Sequence, residues 1–271
     1  MSSAPLVAFR RALHRALTSP RAPRLAATLL LASLATGCAG GVQPTSGGSG
    51  AGGGTGVDSP KAADAPQSPL LPSAFFADGG ERFSAWRCTP SQNLVTTTPD
   101  AKRLRLWTAL GSTELQRAVA TDGERYVLGG VAFERHGRDA RVESDHGQLV
   151  CALASERATT TRRAHPQSIF YASGNEPGWN VSLDRQTTTL TLVSDYGQAT
   201  DTFRYRVASV KNGSDARMVL VSDSGRRPLE MDLRAGACFD DMSGQPWPVK
   251  VTLRYGRHEW QGCGQGVEAK R

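Results

Sequence analysis

The sequence predicts an all-β protein, a small eight-stranded antiparallel β-barrel followed by a second small antiparallel β-domain. Three observations carry this. Short runs rich in Val, Leu, Thr, Tyr and Phe alternate with turn residues, roughly every eight to twelve positions. No stretch of the mature chain keeps a helical period over a useful length. Of four cysteines, Cys88 and Cys151 bracket one strand-rich segment, and Cys238 and Cys263 lie at the end of the next. The apolar fraction, 39 %, lies below the usual globular range, which indicates that part of the chain is not packed.

That part is the amino terminus. Residues 1–24 are basic and free of acids, and residues 25–36 (LAATLLLASLAT) are apolar or small. Twelve such residues are too few to span a bilayer as a helix, which needs about 20. They suit the apolar region of a secretory signal, about 7–15 residues long. Ala35-Thr36-Gly37-Cys38 then resembles the lipobox of bacterial lipoproteins. The resemblance implies a signal peptide over 1–37 and a lipid anchor on Cys38. Two or more acyl chains would make that anchor stable. Ala39 follows where inner-membrane retention signals often have Asp, so the resemblance implies the periplasmic face of the outer membrane. From Ala39 to Asp58 the chain is almost all Gly, Ser, Thr and Ala, with nine glycines, and prolines follow at 60, 66, 69 and 72. Such a composition cannot bury enough apolar surface to offset its ordering entropy. Residues 38–74 therefore read as a tether with a reach of about 30–36 Å.

In the segment from 80 to 153, strands are expected at 82–88, 93–98, 103–109, 114–119, 124–128, 131–135, 139–143 and 148–153, separated by Pro99-Asp100, Asp122-Gly123, Gly129-Gly130 and His146-Gly147. Eight short strands in so short a segment favour closure into a barrel, because closure removes exposed edges. Residues 154–167 are polar and basic and read as a linker. In the segment from 168 to 264, strands are expected near 169–172, 178–183, 188–194, 203–210, 217–222, 229–233 and 248–255, with 265–271 as a tail. The total of five cysteines is odd. With Cys38 lipidated, the linker favours the local pairings Cys88–Cys151 and Cys238–Cys263. Loop entropy values them at about 4 and 3 kcal/mol. An oxidising compartment agrees with the export signal.

Charge excludes one function class. The formal charge is +7, but five arginines (Arg10, Arg11, Arg15, Arg21 and Arg24) lie in the signal region, which leaves +2 for the rest. A nucleic-acid binder needs a persistent basic face, so no nucleic-acid partner is expected. No Cys-x-x-Cys pair and no histidine at ligand spacing points to a metal, and no cofactor is expected.

The first segment carries an ordered series of residues: Trp86-Arg87-Cys88, then Gly123-Glu124-Arg125-Tyr126, Phe133, His136-Gly137, Asp139-Ala140 and a closing Cys151. It resembles the membrane-bound inhibitors of C-type lysozyme over about 80–153. The resemblance implies an eight-stranded barrel whose two neighbouring loops insert a serine hydroxyl and a lysine ammonium between the carboxyl groups of the enzyme's cleft. Here Asp122, beside Thr121, stands at the serine position, and His136, beside Arg135, stands at the lysine position. An ionised Asp122 facing carboxylates would be repelled, and a histidine carries charge only part of the time near neutrality. The contact set expected from the resemblance is Thr121, Asp122, Gly123, Tyr126, Arg135 and His136. As bare sequence, Asp122-Gly123 and His136-Gly137 read as turns, and Trp86, Tyr126 and Phe133 as core.

The second segment contains A-S-G-N-E-P-G-W at 172–179 and C-F-D-D-M-S-G-Q-P-W-P-V at 238–249, then Q-G-C-G at 261–264. It resembles a carboxy-terminal domain of bacterial lipoproteins to which no activity is attached. Trp179 reads as a core anchor. Glu176, Asp240 and Asp241 are the acids that could meet in a site, although Asp240 and Asp241 are better explained by bonds to turn amides. No nucleophile, base and orienting group fall into an enzymatic pattern. The expected function is therefore binding: inhibition of a C-type lysozyme that protects peptidoglycan. The alternative is an envelope interaction lipoprotein that uses the same barrel as a scaffold.

Overall fold

The computed structural model describes residues 69–222 and 228–269. The expected signal peptide and Cys38 lie outside the described residues. Two closed antiparallel barrels of eight strands each account for nearly all of the rest. The first comprises β1 (Arg82–Thr89), β2 (Gln92–Asp100), β3 (Arg103–Thr108), β4 (Gly111–Ala118), β5 (Glu124–Leu128), β6 (Val131–His136), β7 (Asp139–Ser144) and β8 (Gly147–Ala158). The second comprises β9 (Ser168–Asn175), β10 (Gly178–Asp184), β11 (Thr189–Ser194), β12 (Ala199–Lys211), β13 (Arg217–Ser222), β14 (Leu229–Phe239), β15 (Pro246–Tyr255) and β16 (His258–Gly266).

In the first barrel the strands pair in sequence order and β8 returns to β1. Cys88 and Cys151 are direct register partners across that closing seam and form a disulfide. Side chains alternate across the sheet, as strand geometry requires. One set fills the interior: Trp86, Leu94, Leu104, Leu115, Tyr126 and Phe133. The Trp86 and Phe133 rings meet edge to face at 5.6 Å, and the Trp86 indole N–H donates to Thr96 Oγ1 at 2.8 Å. The second barrel shows the same alternation most cleanly in β9, β10 and β11. Its disulfide, Cys238–Cys263, joins β14 to β16 across β15.

Three boundaries differ from the sequence expectation. β8 runs on to Ala158, so residues 154–158 are strand rather than linker. The eighth strand of the second barrel, β16, lies beyond the last of the strands expected, 248–255. Past Trp260 its inner face is glycine (Gly262, Gly264 and Gly266), and aromatic rings lie directly on it. An added Cβ would fall 2.8 Å from the Trp179 ring at Gly262, 2.6 Å from Phe170 at Gly264 and 2.3 Å from Phe76 at Gly266. Glycine is required there by close approach rather than by a turn.

The third difference is the end of the tether. Ser73–Phe75 form a 3-10 turn, and Ala74 and Phe75 are buried in the core of the second barrel, with Phe75 against Phe170 at 6.2 Å. The first barrel grips the same segment from outside. Trp107 Nε1 donates to the Ala74 carbonyl at 2.9 Å, and Arg105 Nη1 donates to the carbonyls of Ser73 and Phe76 at 2.8 and 3.2 Å. Ala77, Phe83, Val95 and Trp107 then form an apolar seam with Ala237 and Phe239 of the second barrel. Arg157 bolts this seam. Its guanidinium lies 3.5 Å from the centre of the Trp247 ring and donates to the Pro246 carbonyl (3.0 Å) and to Gln265 Oε1 (2.6 Å). Burial pushes that guanidinium down to about 9, which leaves it charged at neutral pH.

Candidate functional site

The two loops singled out by the sequence lie side by side. The β4–β5 loop ends at Gly123, whose φ of 69° lies in the left-handed region that favours glycine. An added Cβ there would sit 2.3 Å from the Arg135 carbonyl and 2.8 Å from His136 Nδ1. The loop is thus pressed against the end of β6. The Gly123 N–H donates to Asp122 Oδ1 at 2.8 Å, and Asp122 Oδ2 lies 3.5 Å from His136 Nδ1. The Asp122 side chain is 90 % exposed and that of His136 50 %. Thr121 is exposed beside them. Asp122, Gly123 and His136 therefore form one tip at one end of the barrel.

Two members of the expected set go elsewhere. Arg135 precedes His136 on β6, so its side chain points to the opposite face of the strand. It lines the barrel mouth, where it meets Glu124, its cross-strand partner, at 2.7 Å. Arg117 approaches the same carboxylate from β4 at 3.7 Å. Tyr126 is 1 % exposed and belongs to the core. Burial raises its hydroxyl pKa above the ordinary tyrosine value. Its side chain cannot be a surface contact. Glu124 and Arg117 escaped the sequence reading because the register that joins them to Arg135 exists only once the hairpins have formed.

Behind the tip, the barrel mouth opens into a cavity of about 420 Å³ floored by Phe133 and Leu104. Ser84, Thr96, Arg135 and Glu156 are among its polar walls. Ser84 Oγ donates to Glu156 Oε1 at 3.1 Å.

In the second barrel the two sequence motifs meet. Asn175 Nδ2 donates to Asp240 Oδ2 at 2.8 Å, and Asp240 Oδ1 accepts the Ser243 N–H at 2.7 Å and the Ser243 hydroxyl at 2.6 Å. Burial pushes the Asp240 carboxyl up, but these hydrogen bonds outweigh it and hold it below the usual carboxylate range. Asp240 is thereby committed to its own turn. Glu176 lies in the β9–β10 turn, and Trp179 is 4 % exposed in the core. Among the described residues, no group of three or more His, Cys, Asp or Glu is placed to hold a metal ion.

The chain matches no family model and no curated protein.

Proposed function

We propose that this chain is a periplasmic lipoprotein, anchored to the outer membrane through Cys38, whose first barrel binds and inhibits a C-type lysozyme and so protects peptidoglycan. One observation carries the reading. The two loops assigned to the enzyme's cleft by resemblance stand together at one end of a closed barrel, with Asp122 and His136 3.5 Å apart and open to solvent. A protruding tip on a rigid barrel can enter a cleft with little loss of conformational freedom.

The chemistry of the tip follows from its pairing. Asp122 alone would be repelled by the carboxyl groups of the cleft, and His136 beside it offsets that repulsion when protonated. Thr121 supplies a hydroxyl that can donate to a carboxylate. Arg135, held in the barrel mouth by Glu124, supports the β6 end rather than entering the cleft. The chain itself performs no catalytic step in this reading.

The second reading, an envelope interaction module without inhibitory contacts, is favoured by the internal engagement of Asp122 with Gly123 and His136. Calorimetric titration of the full chain into a C-type lysozyme separates the two. Inhibition predicts binding that a chito-oligosaccharide occupying the cleft displaces. It also predicts that His136→Ala weakens binding about tenfold and Arg135→Ala less than twofold. Binding absent, or indifferent to both the sugar and His136→Ala, would leave the interaction module.

A further inference from the structure

In the second barrel β12 outruns its neighbour. β11 has six residues and β12 thirteen, and the ladder between them ends with Thr189 opposite Arg204. The Tyr205 N–H donates once more, to the Thr188 carbonyl at 3.0 Å. Asp184 turns that chain away from β12, its Oδ1 accepting the N–H groups of Gln186 and Thr187 at 2.8 Å each. β12 itself runs on beside β13 as far as Lys211, which lies opposite Arg217. Among the described residues, no strand pairs with the second edge of residues 207–211, and all five are exposed. At about 3.3 Å per residue this leaves roughly 16 Å of unladdered edge, a template for another strand.

The two faces of this edge differ. Arg206 stands opposite Val221, Val207 opposite Leu220, Ser209 opposite Val219, Val210 opposite Met218, and Lys211 opposite Arg217, with Ala208 bulged out of the count. Leu220 and Met218 belong to the barrel core, so Val207 and Val210 lie on the inner side of the sheet and Arg206 and Lys211 on the outer. Val207 is nonetheless 37 % exposed and Val210 50 %, because no strand comes alongside to cover them. The outer side is basic: from residue 202 to 211 the charged residues are Arg204, Arg206 and Lys211. Lys211 is paired with Asp215, and among the described residues no carboxylate is paired with Arg204.

A second copy of this chain is a poor occupant. Antiparallel self-pairing centred between Ala208 and Ser209 would set Arg206 opposite Lys211 at both ends, and like charges directly opposite destabilise a ladder. A strand of opposite charge meets no such penalty. We propose that the free edge of β12 takes up an extended segment of a partner protein, in line with β11, in which acidic residues flank an apolar–polar–apolar core. Its apolar side chains would lie beside Val207 and Val210, and its carboxylates toward the Arg204–Arg206 and Lys211 ends. In such strand addition the main-chain hydrogen bonds supply affinity, and alternate side chains supply selection. This assignment stands apart from the lysozyme reading and does not depend on it.

The probe is the blocked peptide acetyl-Glu-Val-Thr-Val-Glu-amide, titrated calorimetrically into the full chain. Two comparison peptides replace both Glu by Lys or carry N-methyl groups on alternate amides. The expected result is saturable binding of the acidic peptide, with slowed amide hydrogen exchange in residues 207–211. Affinity should fall about threefold in Val210→Asn and about fivefold in Arg204→Glu, and at least tenfold for the Lys peptide and for the N-methylated peptide. Both substituted residues are exposed, so the variants should fold, and melting curves check it. The proposal is overturned by no binding at millimolar peptide, by equal binding of the Lys or N-methylated peptide, or by unchanged exchange in residues 207–211. Sedimentation of the chain alone should show a monomer; a dimer lost in Val210→Asn would give the edge to a second copy and overturn the assignment.

Discussion

Asp232 illustrates how single side chains are tuned here. Burial pushes its carboxyl up, but hydrogen bonds from Arg217 and Arg234 outweigh burial and hold it below the ordinary carboxylate range. A carboxyl whose folded pKa is depressed contributes stability above its unfolded value, near 3.9, and loses it as pH falls through the folded value. Asp232→Asn should therefore cost about 2 kcal/mol at neutral pH, the usual worth of hydrogen bonds to a charged group. The gap to the unsubstituted chain should narrow as pH falls below about 4. Urea unfolding at several pH values checks this, and a constant gap would show that Asp232 acts only by packing. At this scale the sequence was informative where residue type dictates place: Trp86, Phe133 and Trp179 were legible as core. The resemblance places Arg135 and His136 in one contact set, and strand alternation separates them.

The segment before β1 and the strand β16 show what sequence reading misses at the level of elements. Leu71, Ala74, Phe75 and Phe76 pack on the core of the second barrel, although they follow a run of glycine and proline that reads as tether. Nothing local predicts their burial, since it depends on contacts with Phe170 and Gly266, far along the chain. β16 was missed for the converse reason. Its G-C-G-Q-G sequence lacks the β-branched residues that mark strands, yet its glycines leave room for Phe76, Phe170 and Trp179. By contrast, all eight strands of the first barrel were legible from local alternation and turn residues, although Pro99-Asp100, expected as a turn, closes β2 and the chain turns at the next two residues. The segment carries a test. Phe75 is fully buried, so Phe75→Ala should destabilise the protein by about 3–5 kcal/mol and lower its melting temperature. A change below about 1 kcal/mol would mean that the segment is a removable strap rather than part of the core.

For the whole molecule, the consequence is that the two barrels are not beads on a string. The apolar seam around Trp107, the Arg157 contacts to Trp247 and Gln265, and the buried Phe75 bind both into one body. Glu268, near the carboxyl end, adds to this by accepting the Asp78 N–H at 2.8 Å. The Asp122–His136 tip is thus carried by a body larger than a single barrel, which limits how far it can yield when it meets a partner. The fold class was legible in the sequence, but this union was not, because it is made by side chains on outer strand faces that read as surface. The most direct test of the inhibitory reading is the rate at which a C-type lysozyme clears a suspension of bacterial cell walls as the full chain is titrated in. The account predicts dose-dependent slowing, weakened by His136→Ala. It also predicts slowing strengthened about fivefold by Asp122→Ser, which removes roughly 1 kcal/mol of repulsion from the carboxyl groups of the cleft. Clearing that proceeds unchanged at micromolar chain, with both disulfides formed, would contradict it.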